Sequence, residues 1–117
     1  MLMKEILEIV NGQEIYIDDP AVYEIDFQNA FGTDLMSDAL CFLRDADETE
    51  LLITGLANMQ IFHTANTLDL AAILVVRGKK IDEHMIQGAK MSNLSVFTTD
   101  YTMYETCGRL YEKGLGK

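Results

Sequence analysis

Positive charge is scarce in this chain and densest in one place. Of 117 residues, 9 are Lys or Arg and 19 are Asp or Glu, yet Arg77-Gly78-Lys79-Lys80 holds three of the cations in one short turn. Cations beside a glycine suit a phosphate or carboxylate, whose oxygens accept hydrogen bonds from charged side chains and from backbone N–H groups alike. Three other segments carry small polar residues at the ends of apolar runs: Gly32-Thr33-Asp34, Thr54-Gly55 and Thr98-Thr99. The candidate ligand-binding set is therefore Thr33, Asp34, Thr54, Gly55, Arg77, Gly78, Lys79 and Thr98. Arg77 and Lys79 would neutralise an anion, and backbone N–H groups around Gly55 and Gly78 would position it.

Catalytic patterns are missing. No G-x-x-x-x-G-K-[ST] occurs, so Gly78-Lys79 is not a Walker loop. His63 and His84 lack the spacing of paired metal-ligating histidines and fall on expected helices near polar faces, where exposure is expected. Asp45, Asp47 and Thr49 open like a calcium loop, but Glu50 and Leu56 stand where Gly and Glu are needed. Asp34, Ser37 and Asp38 share one face at the start of an expected helix and read as cap and dipole residues. Cys41 and Cys107 form no metal or redox motif and read as two half-buried thiols. No catalytic residue, metal or cofactor is expected.

The elements that must position these groups centre on Leu51 to Lys80. Leu51-Leu52-Ile53-Thr54-Gly55, a helical segment to Asp69, and Leu70 to Val76 make a β-α-β unit with parallel strands. The second apolar run does not alternate, so it should be covered on both faces and lie centrally. Before it, Met3, Ile6, Leu7 and Val10 predict a first helix over residues 3–10, ended by Asn11-Gly12. Glu14 to Ile17 reads as a brief strand and Asp18-Asp19-Pro20 as a turn. Tyr23, Ile25 and Phe27 alternate with polar residues and predict a half-exposed strand, broken at Asn29-Ala30-Phe31. A helix should start at Gly32-Thr33-Asp34, and Asn58 should cap the one after Gly55. Asp82 should cap a further helix, with Ile81 stapled on Ile86. Leu94 to Thr98 is a last strand, and Thr99-Asp100 should begin a final helix with Thr102 and Glu105 as a capping pair. The expectation is one compact α/β domain over residues 1–117, with a mostly parallel central sheet of about five strands flanked by about five helices. The C-terminal ends of such strands open on one edge, which gathers the candidate set.

Composition narrows the partners. The net charge of −10 repels a phosphate backbone, so no nucleic-acid binding is expected. No apolar run approaches the ~20 residues that span a bilayer, so no membrane association is expected. Glu5 and Glu8 interrupt the apolar N-terminus, which does not read as a signal peptide, and the cytoplasm is the expected location. Seven methionines, most on core-facing stripes, suit space filling or an adaptable surface.

Phe31-Gly32-Thr33-Asp34-Leu35-Met36-Ser37-Asp38, Leu51-Leu52-Ile53-Thr54-Gly55-Leu56, Val75-Val76-Arg77-Gly78-Lys79-Lys80 and Thr98-Thr99-Asp100-Tyr101-Thr102-Met103 together resemble a stand-alone DRTGG domain. That family is similar to the N-terminal domain of HPr kinase/phosphorylase and occurs beside CBS domains in regulatory proteins. The family's Asp-Arg pair falls on Ala57-Asn58 and its Thr-Gly-Gly on Val76-Arg77-Gly78, so only Gly78 is kept. The P-loop kinase domain has no counterpart here. The resemblance implies a compact α/β domain, often a homodimer, with a non-catalytic regulatory or ligand-sensing role. A small nucleotide- or phosphate-like anion at the strand edge is the leading expectation. The alternative is an accessory subunit of a larger redox or metabolic, hydrogenase-associated enzyme with no small-molecule ligand.

Overall fold

Every long apolar run of the sequence becomes a buried strand, and each amphipathic segment a helix laid on one side or the other. The computed structural model describes all 117 residues. Helices α1 (Met3–Val10), α2 (Met36–Phe42), α3 (Met59–Thr67), α4 (Glu83–Met91) and α5 (Met103–Glu112) alternate with strands β1 (Gln13–Tyr16), β2 (Asn29–Gly32), β3 (Glu50–Thr54), β4 (Ala72–Val75) and β5 (Ser95–Thr98). The sheet order is β1-β5-β4-β3-β2. Strands β2 to β5 are mutually parallel, and β1 joins β5 antiparallel. Strand β4 is central and buried along its whole length, as its unbroken apolar run required. No helix is long and apolar enough to cross a membrane.

The two faces of the sheet divide its side chains by the period of two. Leu52, Ile73, Val75 and Val96 point to the layer of α2, α3 and α4 and pack with Met36, Ile61, Phe62, Ala65 and Ala89. Leu51, Ile53, Leu74, Val76 and Phe97 face α1 and α5 and pack with Met3, Ile6, Val10 and Leu110. Strands β2 to β5 follow one another without reversal, so three right-handed crossovers place α2, α3 and α4 on the same face. The caps fall where the side chains called for them. Asn58 accepts from the Ile61 N–H, Asp82 from Met85 and Thr102 from Glu105. Asn11 ends α1 in the left-handed conformation at φ 50°.

Several expectations fail locally. Residues 23–27 form no strand. Asp19 accepts from the Ala21 N–H at 2.9 Å and Pro20 presets a helical φ, so residues 20–24 make a 3-10 turn instead. The polar-apolar alternation is real in burial, Glu24 and Asp26 being exposed and Phe27 buried, but the Phe27 N–H donates to the Met1 carbonyl rather than to a strand neighbour. Strand β2 begins at Asn29, where the sequence pattern breaks. Helix α2 starts at Met36, after the Gly32-Thr33-Asp34 segment, and α5 at Met103, after Thr99-Asp100. Of the methionines only Met3 and Met36 are buried, while Met59 and Met91 are exposed. Cys41 is exposed and not half-buried; Cys107 is half-buried.

Candidate functional site

Thr54, Val75 and Thr98 stand at one level across β3, β4 and β5, so the loops that follow leave the sheet side by side. Residue 33 joins them, its N–H bonded to the Ile53 carbonyl at 2.9 Å. The edge that the parallel order promised is therefore formed, with β2 and not residues 23–27 as its outermost contributor.

Four of the eight candidate residues converge there. The buried Thr54 hydroxyl lies 3.3 Å from Asp34 Oδ1, which also accepts the Gly55 N–H at 2.6 Å. The other carboxylate oxygen, Oδ2, accepts from Arg77 Nη2 at 2.9 Å. Asp34 reaches this position because it lies before α2 and not on its first turn. Thr33 shapes that turn, its Oγ1 accepting from the Leu35 N–H at 3.0 Å. Gly55 has a steric role as well. A Cβ built there would overlap Arg77 Nη2 and Cζ, so the guanidinium lies directly over the glycine backbone.

The turn after β4 is unusual in its backbone. Arg77 has φ 69° and Gly78 φ 65°. The other non-glycine residues with positive φ are Asn11, Asp69 and Asn93, the residue types that tolerate it best. Arg77 is the exception. The turn is pinned by Arg77 N–H to the Tyr101 carbonyl at 2.8 Å and Gly78 N–H to the Thr99 carbonyl at 3.0 Å. Thr99 is anchored in turn by its hydroxyl, which donates to the Val10 carbonyl at 2.6 Å.

The remaining candidates are placed differently from the expectation. The Gly55 and Gly78 N–H groups are not free: one serves Asp34, the other the chain itself. Buried backbone donors rarely stay unpaired, and here the neighbouring loops supply the acceptors. Thr98 contributes through its strand pairing with Val75. Lys79 and Lys80 are exposed, and neither forms an ion pair. Asp100, expected only to open the last helix, lies beside Gly78, whose added Cβ would stand 3.0 Å from its Oδ1.

Charge is divided between the two ends of the sheet. At the N-terminal edge, Asp18, Asp19, Glu24, Asp26, Glu48 and Asp69 line a groove of about 660 Å³. Arg77, Lys79 and Lys80 mark the opposite edge, alongside the carboxylates of Asp34 and Asp100. A second groove, about 940 Å³, runs between α5 and β2 past Tyr104, Cys107, Gly108 and Tyr111. Burial pushes the Cys107 thiol above its usual range. Both cavities lie away from the Arg77 cluster. A parallel sheet without a reversal in strand order has no point where adjacent loops diverge to open a crevice. His63 and His84 are exposed, and no group of three or more His, Cys, Asp or Glu side chains is placed to hold a metal ion.

A three-layer α/β domain with sequentially ordered parallel strands and loops collected at one edge is the class that this architecture defines. Within that class the chain is similar to the solved structure of the CBS and DRTGG domains of the regulatory region of Clostridium perfringens pyrophosphatase, in complex with its activator, diadenosine tetraphosphate. The TM-score is 0.71 at 18% identity, over 93% of this chain and 45% of that one. The chain thus spans less than half of the solved neighbour, and the likeness establishes a CBS/DRTGG-like fold. No protein-family model matches the sequence, and no curated protein does.

Proposed function

We propose that this domain is a non-catalytic regulatory module that senses a small phosphate- or nucleotide-like anion at the C-terminal edge of β3 and β4. The observation that carries the reading is Arg77. An arginine is held in a left-handed conformation, laid over a glycine that alone makes room for it, and aimed at a carboxylate. Backbone strain of this kind persists where the surroundings over-determine it, often at ligand clamps. The Gly55 N–H, the Thr54 hydroxyl and the Arg77 guanidinium form a donor set shaped for an oxyanion, with Lys79 free to add charge. Thr33, Gly78 and Thr98 hold the surrounding loops in register.

The neighbouring structure supports the reading from outside, since that regulatory region binds a polyphosphate activator. The resemblance to the N-terminal domain of HPr kinase/phosphorylase points the same way, to a regulatory domain, dimeric and cytoplasmic, without the kinase machinery. The test is isothermal titration of the purified protein with pyrophosphate, ATP and diadenosine tetraphosphate. Saturable binding that is lost in both Arg77→Ala and Gly55→Ala is the expected result. Binding unchanged in those variants rejects the site.

A second reading is favoured by a different observation. Phe42, Tyr104 and Tyr111 are 68%, 91% and 58% exposed, on elements α2 and α5 to either side of the edge strand β2. Exposed aromatics in such numbers suit a protein interface, as in an accessory subunit of a larger redox or metabolic enzyme. A stoichiometric enzyme recovered from native lysate, with no response to any anion, would favour that reading.

A further inference from the structure

The donors that would hold an oxyanion already hold one, and it belongs to the chain. Asp34 Oδ1 takes the Gly55 N–H and faces the Thr54 hydroxyl, and Oδ2 takes the Arg77 guanidinium. Both oxygens are therefore directed at the donor set. A carboxylate and a phosphate present the same acceptor geometry to an arginine fork and to a backbone N–H. The two cannot share the donors, and two like charges in one small site repel.

We infer, on the anion-binding reading of this edge, that Asp34 is an internal competitor that latches the site closed, and that ligand phosphate binds by displacing it. The position of Asp34 suits this role. It sits in the short loop between β2 and α2, 40% exposed, and its partner Arg77 is 45% exposed, so water and solute reach the pair. The side chain can swing out without opening the core, because neither partner is buried. Thr54, the last residue of β3, and Gly55 just after it are by contrast buried and cannot follow. Around the site the Asp34 carboxylate and the Arg77 guanidinium can therefore move, while the Gly55 N–H and the Thr54 hydroxyl stay in place for the incoming anion.

Displacement also has a path outward. Asp34 is two residues before α2, and Leu35, Leu40 and Phe42 of that segment are exposed. Releasing Asp34 frees the start of α2, on which a patch of exposed apolar side chains rides. Ligand occupancy at the edge is thereby coupled to the order of the loop before α2 and of the start of that helix. The coupling is a population shift between latched and open loops, driven by the difference in ligand affinity for the two.

Pyrophosphate, ATP and adenosine titrated into the wild type, Asp34→Asn, Asp34→Ala and the double variant Asp34→Ala/Arg77→Ala test the latch. Pyrophosphate and ATP should bind the wild type weakly, Asp34→Asn more tightly, and Asp34→Ala more than tenfold more tightly than the wild type. The double variant should bind neither, and adenosine alone should bind none of the four. Amide exchange over residues 33–42 should speed up in the wild type when pyrophosphate saturates it. Asp34→Asn keeps an acceptor for the Gly55 N–H, so it retains the loop and guards against a folding defect. If the wild type and Asp34→Ala bind equally and only the double variant loses ligand, the anion site stands and the latch is wrong. If adenosine binds as well as ATP, recognition is of the base and the latch is again wrong. If no variant binds any probe, the anion-binding reading itself falls.

Discussion

Replacing Arg77 by glycine and by alanine separates what its backbone costs from what its side chain contributes. At φ 69° an L-residue suffers a close approach of Cβ to the following carbonyl oxygen, worth roughly 1–2 kcal/mol. Glycine escapes that penalty but loses more freedom on folding, which offsets about 0.5–1 kcal/mol of the gain. Arg77→Gly should therefore be more stable than Arg77→Ala by about 0.5–1 kcal/mol. Both variants lose the same ion pair to Asp34, and its half-exposed partners make that loss no more than about 1 kcal/mol. Arg77→Gly should consequently stay close to the wild type, and Arg77→Ala should fall below it. Urea unfolding followed by circular dichroism reads the difference. With a slope of about 2 kcal/mol per molar urea, the glycine midpoint should lie roughly 0.3–0.5 M above the alanine midpoint. An alanine variant equal to or more stable than the glycine variant would refute the claim of strain, and with it the main reason for treating Arg77 as functional.

Three further outcomes follow from single side chains. The Thr106 hydroxyl is fully buried on α5 and has no partner within the protein; Thr106→Val should stabilise by about 1 kcal/mol in the same urea assay, and a loss would show that the hydroxyl is bonded after all. Burial raises the Glu50 pKa above its usual 4.5, outweighing the opposing hydrogen bond from Asn29, with the Asp47 charge adding to the rise. A raised acid destabilises the fold once ionised, so wild-type stability relative to Glu50→Gln should be lowest at neutral pH and recover as pH falls through the raised pKa towards 4.5; a gap independent of pH would sink this. Cys41 is exposed, whereas burial raises the Cys107 pKa; with a thiol-disulfide reagent at pH 8 one thiol should react quickly and the second slowly, the two becoming equal in urea.

Strong patterns were read correctly and weak ones were not. The uninterrupted run Leu70–Val76 has one low-energy solution, a strand covered on both faces, and it became the central β4. Asn58, Asp82 and Thr102 are caps by local chemistry alone, and each performs as such. Residues 23–27 misled because alternation records only that every second side chain is covered. Packing against a helix layer gives the same pattern as pairing in a sheet. Asp19-Pro20 held the missing signal, since a capping aspartate followed by proline favours a helical turn over continued extension.

The site was legible as a set of residues and opaque as a set of bonds. Parallel order alone brings the ends of β2, β3, β4 and β5 to one edge, so the eight positions could be gathered from sequence. Nothing local, however, ties Asp34 to Arg77, which are 43 positions apart. The available clue was topological: an acid and a base each stand just beyond the end of a parallel strand. That β2 lies next to β3, and β3 next to β4, then brings their loops within reach of one another.

The same bond fixes what a sensor of this design can achieve. A half-exposed ion pair contributes up to about 1 kcal/mol, and a hydrogen bond to a charged acceptor about 1.5–3 kcal/mol. Together they hold the latch closed by about 2–3 kcal/mol, since neither contribution is fully additive with the other. The open, binding-competent loop is then a minor species, and apparent ligand affinity falls about 30- to 150-fold below its intrinsic value. That loss is what makes the site responsive. An anion hole left open would bind the most abundant phosphate or carboxylate in its surroundings. One closed by its own carboxylate admits only a ligand whose additional contacts exceed the latch. Lys79 and Lys80 stand at the same edge without ion-pair partners, where they favour a polyphosphate over a single phosphate. Lys79→Ala/Lys80→Ala should therefore weaken pyrophosphate and ATP more than inorganic phosphate in the Asp34→Ala background, as read by titration at fixed ionic strength. Equal weakening of all three would assign the lysines to general attraction and leave Arg77 as the whole of the recognition.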